Sequence, residues 1–428
     1  MVFCDFFNGE ARQAARKCYK EAYVWVWLPG EVEPVVAGLL ARDGKNLVFN
    51  YGKSYLARDN KISIYMPELP LRAGVLPLIE GLHMPGCLRD ASPDAWGRRV
   101  LMYKRAMDKN TDELDELTCM LESGSNRTGA LDFQQSATEY LPRLIEPVTL
   151  EQLQESTEKV TNGLPLSPEL AMALQHGTAI GGARPKAIIA TRDKEYVAKF
   201  SLSTDLYNIV KAEYIAMRLA RIVGLDASSV ELETAMNKDV LLVERFERVK
   251  GVHVNGNRGW QRKMMVSALT ILGLDEMMAR YASYEDLAEI IRQRFTNPDD
   301  TLRELFGRII FNILCGNTDD HARNHAAFWD GKNLALTPAY DICPQSRAGN
   351  EASQAMKIYG DNNMSQTKVC LTAAASFKLS AKEAEEIIER QVDLIERNWE
   401  KVCDEAKLSK LERQMFWGRQ FMNPFASV

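Results

Sequence analysis

The sequence predicts an α+β protein in which a small mixed N-terminal unit precedes a strand-rich lobe and a helical lobe. Three observations carry this. Short β-branched and aromatic runs fill residues 23–27, 35–40 and 47–51. A second set of hairpins occupies residues 186–246, and from about residue 258 onward the apolar residues fall at helical spacing. Proline-rich passages place the divisions, giving units of residues 1–140, 141–250 and 251–428.

Taken in order, residues 11–20 read as a short helix or arm, and Asp43-Gly44 is the turn of a hairpin. Ser92-Pro93-Asp94 supplies an N-cap with proline in the first turn, opening a helix through Trp96 to Tyr103. Arg89, Asp90 and Asp94 read as caps and surface charges, so nothing in this unit is expected to be catalytic. A helix around 110–122 leads into the turn-rich 124–129 stretch, and Pro142 and Pro147 mark the first boundary. The second unit pairs residues 186–191 with 195–200, adds a helix that stops at Gly224, then a hairpin of 230–235 with 240–246. Helices are expected near 262–272, 284–294, 302–314 and 380–405, the third capped by Asp300 and Thr301 and the last opening on the box Ser380-Ala381-Lys382-Glu383.

The chain has 428 residues, 46% hydrophobic and 26% charged, enough for several domains with a sizeable core. A net charge of -5 argues against a general nucleic-acid binder, which would carry a basic surplus. Eight scattered cysteines without a C-x-x-C pair, and only five histidines, suggest neither a zinc site nor a disulfide framework. The charged N-terminus lacks the apolar core of a signal peptide, and no stretch approaches membrane-spanning length. A cytoplasmic protein is expected.

The chemistry concentrates in 315–324, Cys-Gly-Asn-Thr-Asp-Asp-His-Ala-Arg-Asn, followed by Tyr340-Asp341. Phosphoryl transfer needs a carboxylate to take the hydroxyl proton, an oxygen ligand for magnesium and a second magnesium carboxylate. Asp319, Asn324 and Asp341 supply these, and the five-residue separation of Asp319 from Asn324 is that of the protein-kinase catalytic loop. Taken alone, Asp319 and Asn324 also suit a capped turn. Upstream, Gly181 and Gly182 let backbone N–H groups approach phosphate oxygens, with Arg184 and Lys186 adding positive charge. Lys199 lies on the strand face beneath that loop, shared with Val197 and opposite Tyr196, Ala198 and Phe200. Glu213 is placed to orient it, and Glu244, Arg245 and Phe246 form a hinge whose backbone would meet the adenine.

This order of pieces resembles the HipA family of serine/threonine kinase toxins. The resemblance rests on Gly182-Ala183-Arg184-Pro185-Lys186, Val197-Ala198-Lys199-Phe200, Glu213-Tyr214, Val243-Glu244-Arg245-Phe246, the Asp319 to Asn324 loop and Leu336-Thr337-Pro338-Ala339-Tyr340-Asp341. The first unit is similar, more loosely, to the family's N-terminal subdomain. The resemblance implies a protein-kinase-like bilobal fold, ATP and magnesium as cofactors, and a protein hydroxyl as acceptor. Asp319 would be the catalytic aspartate and Asn324 and Asp341 the metal ligands. Gly181, Gly182, Ala183, Lys186, Lys199, Glu213, Glu244, Arg245, Phe246 and His321 would bind the nucleotide. It further implies a translation-related substrate such as an aminoacyl-tRNA synthetase, and a small helix-turn-helix antitoxin through which DNA is met only indirectly. The family loop usually carries a serine, in several members a silencing autophosphorylation site, where this chain has Ala179, and a Gln where it has Arg184. Silencing is therefore expected to be absent or moved to Thr178. A silent interaction partner and a small-molecule kinase are the alternative readings.

Overall fold

A computed structural model describes residues 19–107, 114–143, 148–167, 170, 182, 184–252, 256, 258–347 and 349–427. The expected arm at 11–18 and the loop positions Thr178, Ala179, Gly181 and Ala183 lie outside them.

The N-terminal unit is built on β1 (Glu21–Val26), β2 (Val35–Asp43) and β3 (Asn46–Tyr51), joined by β4 (Leu131–Gln134) in the order β3-β2-β1-β4. The β2–β3 turn closes where Asp43 faces Asn46, and Gly44 takes the left-handed conformation (φ +60°) that such a turn requires. Two helices cover this region, α1 (Ala95–Met107) and α2 (Glu116–Glu122), the second capped by Asp115 accepting from the Thr118 N–H.

Helix α3 (Leu150–Thr161) was not anticipated, although its capping box, Thr149 with Gln152, is present in the sequence. It packs Leu153 on the outer face of the second sheet, made of β5 (Lys186–Ala190), β6 (Glu195–Phe200), β7 (Val230–Ala235) and β8 (Lys238–Glu244) in the order β5-β6-β8-β7. The alternation of β8 decides its layers. Val240 and Leu242 face α3, whereas Leu241 and Val243 join the main core with α4 (Ile209–Ile222).

The described residues of 248–252, 258–262 and 265–267 are strands, not helix. Strands β9 (Arg248–Val252) and β10 (Arg258–Arg262) form a ribbon, and β11 (Met265–Ser267) pairs with β12 (Ala326–Trp329), which carries β13 (Leu334–Leu336). The expected helix at 262–272 shrinks to one turn, Ala268–Ile271, capped by Ser267. Pairing with β12 overrides the local helical spacing. Helices α5 (Tyr284–Arg294), α6 (Pro298–Leu314), α7 (Thr367–Ala373), α8 (Ala381–Glu405) and α9 (Lys410–Phe416) make the helical lobe. Helix α6 starts earlier than its apolar pattern, at an Asn297 cap with Pro298 in the first turn, where a missing N–H costs nothing. Asp299 and Asp300 occupy that turn instead of capping it. The Ser380–Glu383 capping box of α8 forms as expected, and Ile395, Trp399 and Val402 are its buried stripe. Among the described residues no helix is long and apolar enough to cross a membrane.

The N-terminal unit is bolted to the rest by buried charge. Arg127, 0% exposed, donates to Asp132 (2.9 Å), which also pairs with Arg143 (2.8 Å). Arg245 donates to Asn126 Oδ1 (2.7 Å) and the Arg127 carbonyl (2.7 Å), and Arg248 reaches the Gly129 carbonyl (2.8 Å). Burial alone would raise the Asp132 pKa, but Arg127 and Arg143 outweigh it and hold the carboxyl below its usual range. Its contribution to stability is therefore present above the unfolded value near 3.9 and is lost as pH falls through the depressed folded value. Asp132→Ala leaves Arg127 buried without its counter-charge and is expected to cost about 3–5 kcal/mol in denaturant unfolding. The deficit relative to the parent should shrink on acidification; a loss under about 1 kcal/mol would show that the pair is not what holds the 127–132 turn in place.

Candidate active site

The loop after α6 is fixed from behind before it presents anything to the front. Helix α6 ends at Cys315 and Gly316 turns the chain with φ +69°, a position where a Cβ would collide with the Gln420 backbone. Asp320 then points inward, accepting from Asn312 Nδ2 (2.7 Å), from His325 Nε2 (3.0 Å) and from the Tyr284 hydroxyl. Burial acts to raise the Asp320 pKa, yet His325 and these donors bring it below the ordinary carboxylate value. With that anchor set, Asn324 Nδ2 donates to the Asp319 carbonyl (3.1 Å), which aligns the two residues five apart on one rim. The Asp319 carboxyl faces a cavity of about 460 Å³. Its pKa is raised, first by desolvation and then by Asp341 and Asp320, with His321 opposing.

Asp341 enters from the other side on a left-handed residue (φ +58°), after Tyr340 has donated to the Arg323 carbonyl (2.8 Å). Strand β6 brings Lys199 beneath it, and Lys199 Nζ binds both Glu213 and Asp341. Desolvation would lower the Lys199 pKa, but the two carboxylates raise it above the ordinary lysine value, and the same contact holds Asp341 far below the usual carboxylate range against its own burial. The pairing of Lys199 with Glu213 is as the sequence predicts. The pairing with Asp341 is an addition to it.

Lys186 lies next to Lys199 in the β5–β6 register and is buried, with its pKa lowered by desolvation against the pull of Asp94 and Asp341. Gly182, at φ +110°, lies so close to the Lys186 ammonium that any Cβ would clash. Arg184 departs from the expected phosphate contact, because its guanidinium is held by Asp205 (2.8 and 3.2 Å). Arg245 also turns away from the cleft into the buried charge cluster with Glu195 and Glu247. The Glu244 carboxylate pairs with Lys194 (2.6 Å), so the side chains of both hinge residues are engaged elsewhere, while Phe246 sets its ring against Phe328 and Tyr340. His321 lines the cavity with its Nδ1 buried and unpartnered among the described residues.

The N-terminal unit, expected to be inert, forms one wall of this cleft. Cys87, Asp90, Asp94 and residues 128–131 line it. Asp90 accepts from the Ser267 N–H (2.7 Å) and hydroxyl (2.8 Å), Arg89 is buried and donates to the Leu274 carbonyl (3.0 Å), and Trp96 Nε1 donates to the Lys186 carbonyl (3.2 Å). Asp94, raised to about 6 chiefly by desolvation, faces the glycine loop. No local pattern marks these residues, since each acquires its role from a partner far away in the sequence.

A hard cation prefers oxygen donors, and the cleft offers the Asp319 and Asp341 carboxylates, the Asn324 amide and the Asn317 Oδ1, which is buried without a hydrogen-bond partner. Among the described residues no group of three or more His, Cys, Asp or Glu could hold a metal ion unaided. The donor set fits magnesium that is shared with bound phosphates.

Residues 178–399 match the HipA-like C-terminal domain and residues 26–134 the HipA N-terminal domain. The chain is 24% identical over 186 residues to the serine/threonine-protein kinase toxin HipA of Shewanella oneidensis, covering 38% of this chain and 42% of that one. It is 26% identical over 199 residues to Y4mE, a candidate kinase of Sinorhizobium fredii, covering 43% and 46%. The matched stretches thus span less than half of either relative. In three dimensions it resembles Shewanella oneidensis HipA, solved in complex with HipB and its operator DNA, with a TM-score of 0.68, 17% identity, and coverage of 95% of this chain and 99% of that one. That likeness extends over both lobes and the N-terminal unit, so the fold is the bilobal, kinase-like α+β fold that the sequence predicts. With its C-terminal family match alone spanning more than half of its residues, the chain belongs to the HipA family.

Proposed function

We propose that this protein is an ATP- and magnesium-dependent serine/threonine protein kinase of the HipA toxin type. One observation carries the reading. Lys199 is bound by Glu213 from α4 and by Asp341 from the helical lobe, in the same cavity that Asp319 and Asn324 face. That is the set of groups phosphoryl transfer needs, drawn from both lobes.

On this reading the nucleotide lies with its base against the hinge backbone and the wall at 128–131. Its phosphates lie under Gly182, close to Lys186 and Lys199. Asn324 and Asp341 would hold magnesium, whose chemistry there would be to neutralise phosphate charge. Asp319 accepts a hydrogen bond from the acceptor hydroxyl and takes its proton as the oxygen attacks the γ-phosphorus. The bond from that phosphorus to the bridging oxygen breaks, and ADP leaves. The raised pKa of Asp319 makes it a better proton acceptor than an ordinary aspartate, provided it remains ionised at working pH. Glu213 fixes the position of Lys199. The acceptor is a translation-related protein such as an aminoacyl-tRNA synthetase. Activity is restrained by a small helix-turn-helix antitoxin that makes the contact to DNA, and the complex is cytoplasmic. Support for the partner comes from the Shewanella oneidensis relative, whose structure contains HipB and operator DNA. The family's loop silencing is absent or moved to Thr178.

Asp319→Asn keeps the side chain's shape but removes the proton acceptor. Transfer of radiolabel from ATP to protein should fall on the order of a thousandfold while the ATP dissociation constant stays within about threefold of the parent. Transfer that survives in this variant would remove Asp319 from the role.

Asn324→Ala deletes an oxygen donor without disturbing the Lys199 ion pairs. Binding of magnesium-ATP should weaken by about tenfold, with metal-free ATP bound as by the parent. Two nucleotide titrations, with magnesium and with chelator, make the comparison, and equal weakening in both would point to a structural defect in the loop.

A further inference from the structure

Beside the cleft lies a second cavity of about 690 Å³ that the phosphotransfer reading leaves unused. Its walls come mainly from the N-terminal unit, including Arg42, Lys45, His83, Arg89 and Arg98, with Asp275 and Glu276 opposite. It shares Ser92, Asp94, Gly182 and Arg323 with the cleft, so the two spaces meet at the glycine loop and the catalytic loop, far from the hinge. In-line transfer requires the attacking oxygen to approach the phosphorus opposite the leaving oxygen. A nucleotide that fills the cleft from the hinge leaves this junction as the side from which an acceptor can arrive.

The wall charges are already matched. Arg42 pairs with Asp115, Arg98 with Glu116 (2.5 Å) and Arg323 with Glu276 (3.1 Å). The cavity therefore does not select a ligand by net charge. Among the described residues two buried atoms of the trough make no hydrogen bond: Arg89 Nε, which has the Glu276 carboxylate only at ion-pair distance (3.8 Å), on a residue 8% exposed, and Asp94 Oδ2, an acceptor. One unfilled donor and one unfilled acceptor in a neutral trough are the complement of an extended polypeptide, whose backbone offers a carbonyl and an N–H in turn. A compact metabolite with its own net charge would leave them poorly matched.

We propose that this second cavity is the acceptor channel and that it takes an extended segment of a protein substrate. Arg89 Nε donates to a backbone carbonyl of that segment and Asp94 Oδ2 accepts from a backbone N–H. Its serine or threonine is delivered past Arg323 to Asp319. The assignment rests on the kinase reading and adds to it the route by which the protein substrate enters, across the N-terminal unit.

Lys45 and His83 line the outer end at exposed positions. The double variant Lys45→Trp, His83→Trp narrows that end and leaves the cleft intact. Radiolabel transfer from magnesium-ATP to a serine/threonine peptide library with random flanks is measured for both proteins, alongside nucleotide affinity and melting temperature. The expected result is a peptide KM raised by about tenfold or more, with nucleotide affinity and melting temperature held. An unchanged peptide KM overturns the channel and leaves the kinase reading standing. A parent that binds magnesium-ATP but labels no peptide overturns the kinase reading and the channel with it. Benzoylphenylalanine placed at position 45 gives a second readout free of bulk effects on folding. Photolysis should attach library peptide at that position, and attachment no greater than at a surface position outside the cavity counts against the channel.

Discussion

Lys199 Nζ is bound at once by Glu213 of α4 and Asp341 of the loop after β13. These carboxylates belong to different lobes, so one ammonium ties the sheet, α4 and the loop after β13 together. Lys199 and Glu213 are drawn largely out of water and Asp341 partly so, and a buried charge without a partner is far more costly than a paired one. The opposite pKa displacements of Lys199 and Asp341, upward and downward, are two expressions of this contact. The contact is possible only because β6 alternation directs Lys199 inward, α4 presents Glu213 on its buried face and Asp341 accepts a left-handed backbone.

A second network supports the first. The turn at 124–129 is gripped by Arg245 of the hinge and by Arg248 and Arg262 beyond it, while Asn126 reaches Glu195 at the start of β6. The N-terminal unit is thereby fixed to the strand that carries Lys199. Trp96 adds a contact at the other end, donating to the carbonyl of Lys186 beside the glycine loop. The unit cannot shift without moving both ends of the strand-rich lobe. This explains why a segment with no catalytic pattern of its own lines the cleft along its length.

Local signals were sufficient wherever a residue's environment is set by its near neighbours. The α8 capping box, the β2–β3 turn, the stop of α4 before Gly224 and the two faces of β6 were all legible from spacing. So was the clustering of Asp319, Asn324, Asp341, Lys199 and Glu213, because the order of elements around a phosphate site constrains which residues can meet. Long-range pairing was not legible. Residues 262–267 are extended because β11 finds β12 some sixty positions later, and nothing within the segment announces that partner. Arg184 looked like a cation for phosphate and Arg245 like a hinge residue offering only its backbone, since Asp205 and Glu195 come near only once the chain is folded. Asp94 looked like a helix cap, which it also is, donating nothing to the sequence pattern that would mark its other oxygen as unpartnered.

In the cleft Lys199 is neutralised by Glu213 and Asp341, and Lys186 lies in the field of Asp94 and Asp341. The cations suited to phosphate are thus already engaged, and anionic phosphates arriving alone would meet three carboxylates as well. On the proposed reading Asn324 and Asp341 would hold a divalent cation that supplies positive charge for the phosphates, while Glu213 keeps Lys199 in place. Asp94 differs, because its site favours the neutral carboxyl up to about pH 6 and one oxygen lacks a donor. Its requirement can be met only by a group that brings an N–H or O–H, and the junction where it sits is the place at which such a group would have to arrive together with the acceptor hydroxyl.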